Sequence, residues 1–546
     1  MLFIINDKKE ALQTSFQAIN QFPQSLELKK LYLQALAQCG YSSEALQVWD
    51  EIKNELSDSK EIAKIQECIA WGVLSTAKSS PQVEIKNLSL LSSFLTQDAR
   101  VSKMLLEALH SSNVIQRTLA IRLAAKYGNT ELHRVIINLL RTERVSFVRK
   151  ELIEAIGTAK IIEGKEILEN ILAMNTELEE KYIAIHSLSL LSENLQLEEI
   201  SALLLHPCAS FRLLAIEIIN RLSVEDLYPM LFNLIQDPCL EVKIAALKVI
   251  GLRVPSKWSL EQKNIIKAYC LDGNPFVSLL AAWNCLLQEE DIGASIFTEK
   301  IKSRNPSIRI FATALLSFTG FKGLPLTISI FESTKDPYVR VNLARGLLSL
   351  RILVKEASSA LLHFIQDVQT PIMWDKGQYV FFPMISPSTI APTPLCYNLR
   401  AVMDGITRLS LLNNLLAIEP TLAIQVARNY LHNHYWGLSG NAAVILMETG
   451  DDYCVDLVKD LLKDSNKKIR LQAALVLAFL HRDEAAGKVL EELYYTVRQE
   501  DRFYILEALG QLSAKQSMPF LMKLLTEPFM SIRMAAASLI IQSLYH

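Results

Sequence analysis

Residues that could perform chemistry occur in this sequence, but their spacing does not form a catalytic or metal site. The nine histidines are scattered, and His432 and His434 lie two residues apart, so on a helix they would face different directions. Cys208 and Cys239 each follow a proline, and no further soft ligand at matching spacing completes a zinc site. Phosphate-binding glycine loops and a GxSxG nucleophile motif are absent from the sequence. We therefore predict no catalytic residue, no metal ligand and no cofactor.

The composition predicts a folded helical chain that does not bind nucleic acid. Hydrophobic residues make up 50% of the 546 residues, while Gly and Pro number only 18 each, which favours long helices. The 56 basic and 58 acidic residues leave a net charge of −2, which provides no positive field for a polyphosphate backbone. The scattered cysteines, the absence of a long apolar run and a start unlike a signal peptide favour a cytoplasmic protein without a membrane span.

A motif that recurs along most of the chain determines the fold. A short polar turn, often with proline, precedes an aliphatic–basic pair, and small residues and a Leu/Ile stripe follow, as in Asp237–Gly251 and Asp336–Leu348. Most steps between successive basic positions are 31 or 32 residues. The 14 positions, two of them weak serines, are Lys86, Arg117, Arg149, Lys181, Arg212, Lys243, Ser278, Arg309, Arg340, Arg400, Ser439, Arg470, Arg502 and Arg533. Amphipathic units of this size bury their apolar faces only by stacking on neighbours.

This pattern resembles the HEAT repeat, in particular its short bacterial variant, over residues 80–546. The resemblance implies two antiparallel helices per repeat, stacked into an all-α solenoid or superhelix. It also implies that turn carboxylates and basic residues hydrogen-bond within and between neighbouring repeats, and the pairs Asp237/Lys243, Asp336/Arg340 and Asp464/Arg470 fit this arrangement. We therefore predict a structural ladder rather than a ligand site at Asp237, Lys243, Arg309, Asp336, Arg340, Asp464, Arg470 and Arg533.

The N-terminal segment has a different period. Leu31–Trp49 resembles a tetratricopeptide (TPR) repeat, and Glu10–Pro23 resembles its second half; Ala11 and Ala45 are separated by the TPR period (45 − 11 = 34). Fewer than three TPR repeats are only marginally stable alone. We therefore expect this segment to pack as a cap on the longer solenoid, and the alternative is that it forms a peptide-binding groove. The predicted domains are a TPR-like cap (1–57), HEAT-like repeats (58–368), an insertion (369–395) and further HEAT-like repeats (396–546).

The insertion is the one local departure from the repeats. It holds five of the 18 prolines and only two charged residues. Trp374–Phe381 predicts a short hairpin, with Gly377 at its turn. Such a loop either contacts a partner or folds back on its own repeats, and both alternatives stay open. The predicted partner-binding residues are Trp374, Tyr379, Phe381 and Phe382.

Many repeats without concentrated chemistry favour a non-enzymatic scaffold. We expect its concave face to bind another protein through second-helix side chains of successive repeats, and the sequence does not identify that protein. Bilin lyases use repeats of similar length, so the resemblance also leaves a bilin-lyase-like enzyme or a small-molecule carrier as the alternative.

Overall fold

The computed structural model describes residues 8–174, 176–191, 197–253, 258–367, 369–375, 384–391, 393, 397–512 and 514–545. These residues form 31 α-helices and one two-stranded antiparallel sheet. The predicted all-α solenoid is therefore confirmed. Within the described ranges, every helix is too short or too polar to cross a lipid bilayer.

Contacts group the chain into two units. Unit 1 contains Met1–Ser192 and Leu461–His546, and unit 2 contains Glu193–Asp460. The first helices of unit 1 are α1 (Lys8–Gln21), α2 (Leu26–Cys39), α3 (Ser42–Ile52), α4 (Ser59–Lys78), α5 (Val83–Leu95), α6 (Arg100–Leu109), α7 (Val114–Tyr127), α8 (Thr130–Thr142), α9 (Ser146–Thr158), α10 (Lys165–Ala173) and α11 (Leu178–Leu191).

Unit 2 carries the following helices and both strands, and the chain then returns to unit 1. The elements of unit 2 are α12 (Leu197–Leu204), α13 (Ala209–Leu222), α14 (Tyr228–Asn233), α15 (Leu240–Arg253), α16 (Leu260–Tyr269), α17 (Pro275–Leu287), α18 (Asp291–Lys300), α19 (Pro306–Ser317), α20 (Leu324–Ser333), α21 (Pro337–Ser349), α22 (Val354–Gln366), β1 (Ile372–Asp375), β2 (Met384–Pro387), α23 (Tyr397–Leu416), α24 (Pro420–Leu431), α25 (Leu438–Glu448) and α26 (Asp452–Asp460). The last helices of unit 1 are α27 (Lys467–Val476), α28 (Glu484–Tyr494), α29 (Gln499–Gln511), α30 (Ala514–Leu524) and α31 (Met530–Tyr545).

The helices from α4 onward alternate as first and second helices of the repeats. Each of the 14 basic or serine positions predicted from the sequence lies on its own odd-numbered, second helix from α5 to α31. The polar turn before these helices supplies the helix cap: Asn274 and Asp336 each accept hydrogen bonds from two backbone N–H groups of the first turn. Proline follows at the first helical position of α17, α19 and α21, where no N–H is needed. The recurring polar–proline motif is therefore a helix start.

Small residues allow second helices of successive repeats to approach closely. A Cβ atom added at Gly157 of α9 would lie 2.6 Å from the Cα atom of Ser187 in α11. In the N-terminal segment, a Cβ atom added at Gly72 of α4 would lie 2.8 Å from the carbonyl carbon of Ala37 in α2. Distances under 3 Å leave no room for a side chain. The close approach of the neighbouring backbone therefore requires glycine at both positions.

The first and last repeats of the array are neighbours within unit 1. Helix α31 packs against α4 and α5 as well as against α29 and α30. Gln542 of α31 donates a hydrogen bond through Nε2 to the Leu95 carbonyl at the end of α5 (2.6 Å). Ile540 and Ile541 of α31 are fully buried, as is Ile69 of α4. The core of unit 1 therefore includes helices from opposite ends of the sequence.

The predicted insertion lies inside a single repeat of unit 2. Helices α22 and α23 are the first and second helices of this repeat, and the two strands lie between them in sequence. The strands pair antiparallel, with Trp374 opposite Ile385 and Asp375 opposite Met384. The second strand, Met384–Pro387, comes after the stretch that the sequence suggested for it. The residues between Asp375 and Met384 lie outside the described ranges.

Candidate partner-binding surface

Several arginines at the recurring basic position connect their repeat to the next one. Arg212 donates through Nε and Nη2 to the Asp237 carboxylate (2.6 and 2.8 Å), and Arg309 donates through Nε to Asp336 (2.7 Å). In each case the carboxylate lies at the start of the second helix of the following repeat. The same link joins Arg117 to Glu143 (3.1 Å) and Arg149 to Glu180 (3.0 Å).

The same arginines also satisfy carbonyl groups within their own repeat. Nη1 of Arg212 donates to the His206 carbonyl, and Nη1 of Arg309 donates to the Ser303 carbonyl (both 2.7 Å). Both carbonyls lie in the turn after a first helix, where no backbone partner is available. Ser278, which replaces the arginine in one repeat, forms this local bond to the Cys270 carbonyl (2.6 Å). A serine therefore retains the local contact and loses the link between repeats.

The expected hydrogen bonds between neighbouring repeats are present, but in the described residues Asp237 and Asp336 make them with other basic residues than Lys243 and Arg340. Asp237 and Asp336 pair with the arginine of the preceding repeat, because stacking brings that side chain to the turn. Lys243 instead lies over the ring of Tyr269 (5.7 Å to the centroid), and Arg340 lies over the ring of Phe331 (5.3 Å).

The C-terminal members of the predicted ladder depart further from the expected pairs. Asp464 accepts a hydrogen bond from the Asn466 backbone N–H (2.7 Å). Arg470 donates to the Leu462 carbonyl (3.2 Å) and to Glu492 (2.9 Å). Arg533 has a buried Nε without a hydrogen-bond partner among the described residues. In this part of the chain Arg470 contacts its own repeat through the Leu462 carbonyl and the next repeat through Glu492 on α28.

Arg408, rather than Arg400, is the ladder residue of the repeat that holds the insertion. Its fully buried guanidinium donates to the Asp404 carboxylate and to the carbonyls of Phe364 and Thr370, each at 2.6 Å. The sequence contained the signal for this residue. Two steps of 31 residues back from Arg470 reach Arg408 (470 − 31 − 31 = 408), whereas Arg400 is out of register.

We expect Asp237→Asn to lower the free energy of unfolding by about 3–5 kcal/mol at neutral pH, because it leaves buried Arg212 without its charged partner. Burial raises the pKa of the Asp237 carboxyl, but Arg212, the Cys239 N–H and the charge of Lys243 outweigh it, so the pKa is below its usual value of about 3.9. This stabilisation is present above the unfolded pKa and is lost as pH falls through the lower folded pKa. Urea unfolding at several pH values measures the difference between the variant and wild type, which should shrink in acid.

Asp336→Asn is the matched control for this prediction. The side chains of Arg309 and Asp336 are 21% and 22% exposed, against 10% and 4% for Arg212 and Asp237. Solvent screening should therefore make the loss at Asp336 smaller. Equal losses in the two variants, or a loss at Asp237 that does not change with pH, would contradict the assignment.

The second helices of unit 2 hold the two strands on their surface. Strand β2 packs on α19 and α21, and β1 packs on α23. The Asn342 side chain forms two hydrogen bonds with the backbone of Ile385: Nδ2 donates to its carbonyl (2.8 Å), and Oδ1 accepts from its N–H (3.0 Å). Met384 is buried in a cluster with Ile310 and Ala314 of α19. An extended segment is thus bound through both its main chain and its side chains.

Strand β1 is attached to the helices by polar groups. The Tyr338 hydroxyl donates to the Pro371 carbonyl (2.7 Å), and the Ile372 N–H donates to Asp404 (2.8 Å). Arg408 holds the carbonyl of Thr370, immediately before the strand (2.6 Å). The start of the insertion is therefore fixed to α21 and α23.

Of the four predicted partner-binding aromatics, the structure places one. Trp374 lies half-buried on β1, with the Arg345 guanidinium 4.8 Å from its ring centroid. Tyr379, Phe381 and Phe382 lie outside the described residues. Sequence analysis missed Asn342, the main contact to β2. The residue type is a weak signal, because this repeat position holds Ala245 and Phe311 in two repeats but a polar residue, such as Glu151 or Asn441, in others.

Two large cavities lie in unit 1. One, of about 700 Å³, lies among α1, α2 and α4 and is lined by residues that include Phe16, Tyr32 and Tyr41. The other, of about 1120 Å³, is formed by α3 and α4 with α30 and α31. No group of three or more His, Cys, Asp or Glu side chains that could hold a metal ion occurs in the part of the chain that the structure describes.

The class that the fold and repeats define is an all-α solenoid of stacked helix pairs. Similar solved structures include importin beta (12% identity, covering 96% of this chain and 83% of that chain, TM-score 0.38) and Kap95 in its complex with Nup1 (12% identity, 92% and 75%, TM-score 0.41). The CpcE–CpcF phycocyanin lyase complex from Nostoc sp. is also similar (15% identity, 47% and 91%, TM-score 0.22). No protein-family model and no curated protein matches this sequence. Similarity at this level concerns the fold and says nothing about ligands or chemistry.

Proposed function

We propose that this chain is a non-enzymatic scaffold that binds another protein through the second-helix surface of unit 2. The observation that carries the proposal is the contact between Asn342 and the Ile385 backbone, because a surface that holds one extended segment has the geometry to hold others. A row of second helices extends this surface over several repeats, as solenoid scaffolds require.

A pair of matched surface variants tests the proposal. Asn413 is exposed on second helix α23, and Gln425 is exposed on first helix α24. We expect proteins that co-purify with wild type to be retained by Gln425→Arg and reduced about tenfold by Asn413→Arg, the effect of losing roughly 1.4 kcal/mol of binding free energy. Affinity purification with quantitative mass spectrometry measures both.

The same purification distinguishes the alternative of a bilin-lyase-like enzyme or a small-molecule carrier. The cavity among α1, α2 and α4 has a volume within the usual range for small-molecule sites. A visible absorption band or a co-purifying small molecule, without any partner that responds to Asn413→Arg, would overturn the scaffold proposal in favour of that alternative.

A further inference from the structure

Strand β2 contacts the helices of unit 2 in the way that a bound peptide contacts a receptor. The N–H and carbonyl of Ile385 both bond to the side chain of Asn342, which is itself oriented by a bond from Nδ2 to the Tyr338 carbonyl (2.9 Å). Strand β1 pairs with the opposite edge of β2. Hydrogen bonds on both edges thus recognise an extended main chain independently of its side chains.

The side chains of β2 define what the surface accepts. Met384 and Ile385 are buried, and Met384 packs on Ile310 and Ala314. Ser386 is also buried, which leaves space for a small residue, and Pro387 ends the strand. The residue at the position of Ile385 must donate its N–H to Asn342, so proline is excluded at this position. The surface therefore fits two adjacent apolar residues followed by a small one.

The two strands are attached differently: polar side chains hold the start of β1, whereas β2 is the more deeply buried strand. Asp404, Tyr338 and Arg408 hold β1 and the residues just before it. The side-chain hydrogen bonds from helices to β2 come from one residue, Asn342, and the rest of its described attachment is strand pairing and apolar burial. An incoming strand of the same pattern would pair with β1 and make the same contact with Asn342.

We propose that the surface of α19, α21 and β1 is a binding site for an extended segment of a partner protein, and that β2 is an intramolecular occupant that this segment replaces. This inference rests on the proposed scaffold function and adds the kind of partner: a chain segment that joins β1 as a strand and buries two adjacent apolar residues and a small residue. In this proposal the chain is autoinhibited at this site until a partner segment displaces β2.

The test uses a synthetic labelled peptide with the sequence of residues 382–389 as the probe, and fluorescence anisotropy as the measurement. In the intact chain carrying Ile385→Pro, the occupant loses its N–H and one of its two bonds to Asn342, which weakens its binding to the site. We expect the peptide to bind this variant about tenfold more tightly than it binds wild type. Adding Asn342→Leu to Ile385→Pro should weaken peptide binding about tenfold, since both main-chain bonds are lost.

Asn441→Leu is the matched control in the receptor. Asn441 lies at the equivalent position of α25, where its Nδ2 donates to the Gly437 carbonyl of its own helix (2.7 Å). Added to Ile385→Pro, it should leave the peptide affinity unchanged. In the ligand, a peptide methylated at the Ile385 nitrogen should bind about tenfold more weakly than the unmodified peptide. Equal binding of the two peptides, or equal effects of the two asparagine variants, would overturn the site.

A measurement on wild type keeps the proposal testable if Ile385→Pro does not fold. A replaceable strand must leave without unfolding the helices, so the β2 amides should exchange hydrogen at least about tenfold faster than those of α19 and α21. Equally slow exchange would show that β2 is a permanent part of the core and would overturn the proposal.

The two proposals can fail separately. A partner protein retained equally by wild type and Asn342→Leu supports the scaffold and overturns this site. Peptide binding that depends on Asn342, without any captured partner protein, supports the site and overturns the scaffold. If peptide binding is accompanied by a dimer whose formation requires Ile385, the occupant is a second copy of this chain, which overturns the assignment to a partner protein.

Discussion

Replacing Arg408 by leucine should lower the free energy of unfolding of its repeat by about 3–5 kcal/mol. The guanidinium is fully buried and donates to Asp404, Phe364 and Thr370, each at 2.6 Å. Leucine fills part of the volume but leaves a carboxylate and two carbonyls without their donor, and unsatisfied buried groups carry a large penalty. Native-state hydrogen exchange at α22 and α23 measures this local free energy directly.

Arg400→Leu is the matched control because Arg400 lies on the same helix, is half-buried and forms none of these bonds. We expect its effect to stay within about 0.5 kcal/mol. Arg408→Lys should recover part of the loss, because lysine retains the charge but does not reach several acceptors with one planar group. Losses of similar size at positions 400 and 408 would contradict the assignment of Arg408 as the ladder residue.

The repeat period predicted the helices well because every repeat solves the same packing problem. The basic positions predicted from the sequence each fall on a separate second helix, and the polar–proline turns start those helices. The partner of each carboxylate was not predictable in this way. Asp237 lies six residues before Lys243 and 25 residues after Arg212 (237 − 212), and only the stacking of repeats decides between them.

The surface that holds the insertion was predictable only in part. The proline and aromatic content marked residues 369–395 as distinct, and the structure has paired strands within this stretch. Asn342 is separated from Ile385 by 43 residues (385 − 342), and no periodic pattern connects a helix position to one residue of an irregular insertion. Glu151, Asn441 and Gln472 are polar at the same repeat position, so polarity there does not single out Asn342 in the sequence.

The contact of α31 with α4 and α5 could not be predicted from the sequence either. A repeat pattern specifies the neighbours along the array, but all repeats have similar apolar faces, so it contains no information about which distant helix covers the last one. Lys78 at the end of α4 and Met530 at the start of α31 are 452 positions apart (530 − 78). The contact is therefore a property of the folded chain rather than of the repeat motif.

Removing residues 530–546 should destabilise helices near the N-terminus as strongly as those next to the cut. In an array with neighbours only along the chain, this deletion would affect α29 and α30 alone. Here it also uncovers α4 and α5, because α31 packs on both and contributes fully buried residues such as Ile540 and Ile541. Each fully buried isoleucine is worth about 1.5–3 kcal/mol, so we expect the local free energy of opening of α4 and α5 to fall by about 3 kcal/mol or more.

Hydrogen exchange with peptide-level mass spectrometry tests this deletion, with helices α15 and α17 of unit 2 as the internal reference. We expect exchange in α4 and α5 to accelerate by about two orders of magnitude or more, since 1.4 kcal/mol corresponds to tenfold, while α15 and α17 keep their rates. The point variant Ile541→Ala should reproduce the pattern with a loss of about 2–4 kcal/mol, which separates lost packing from a truncation artefact. Unchanged exchange in α4 and α5, with acceleration confined to α29 and α30, would show that the ends of the array are independent in solution.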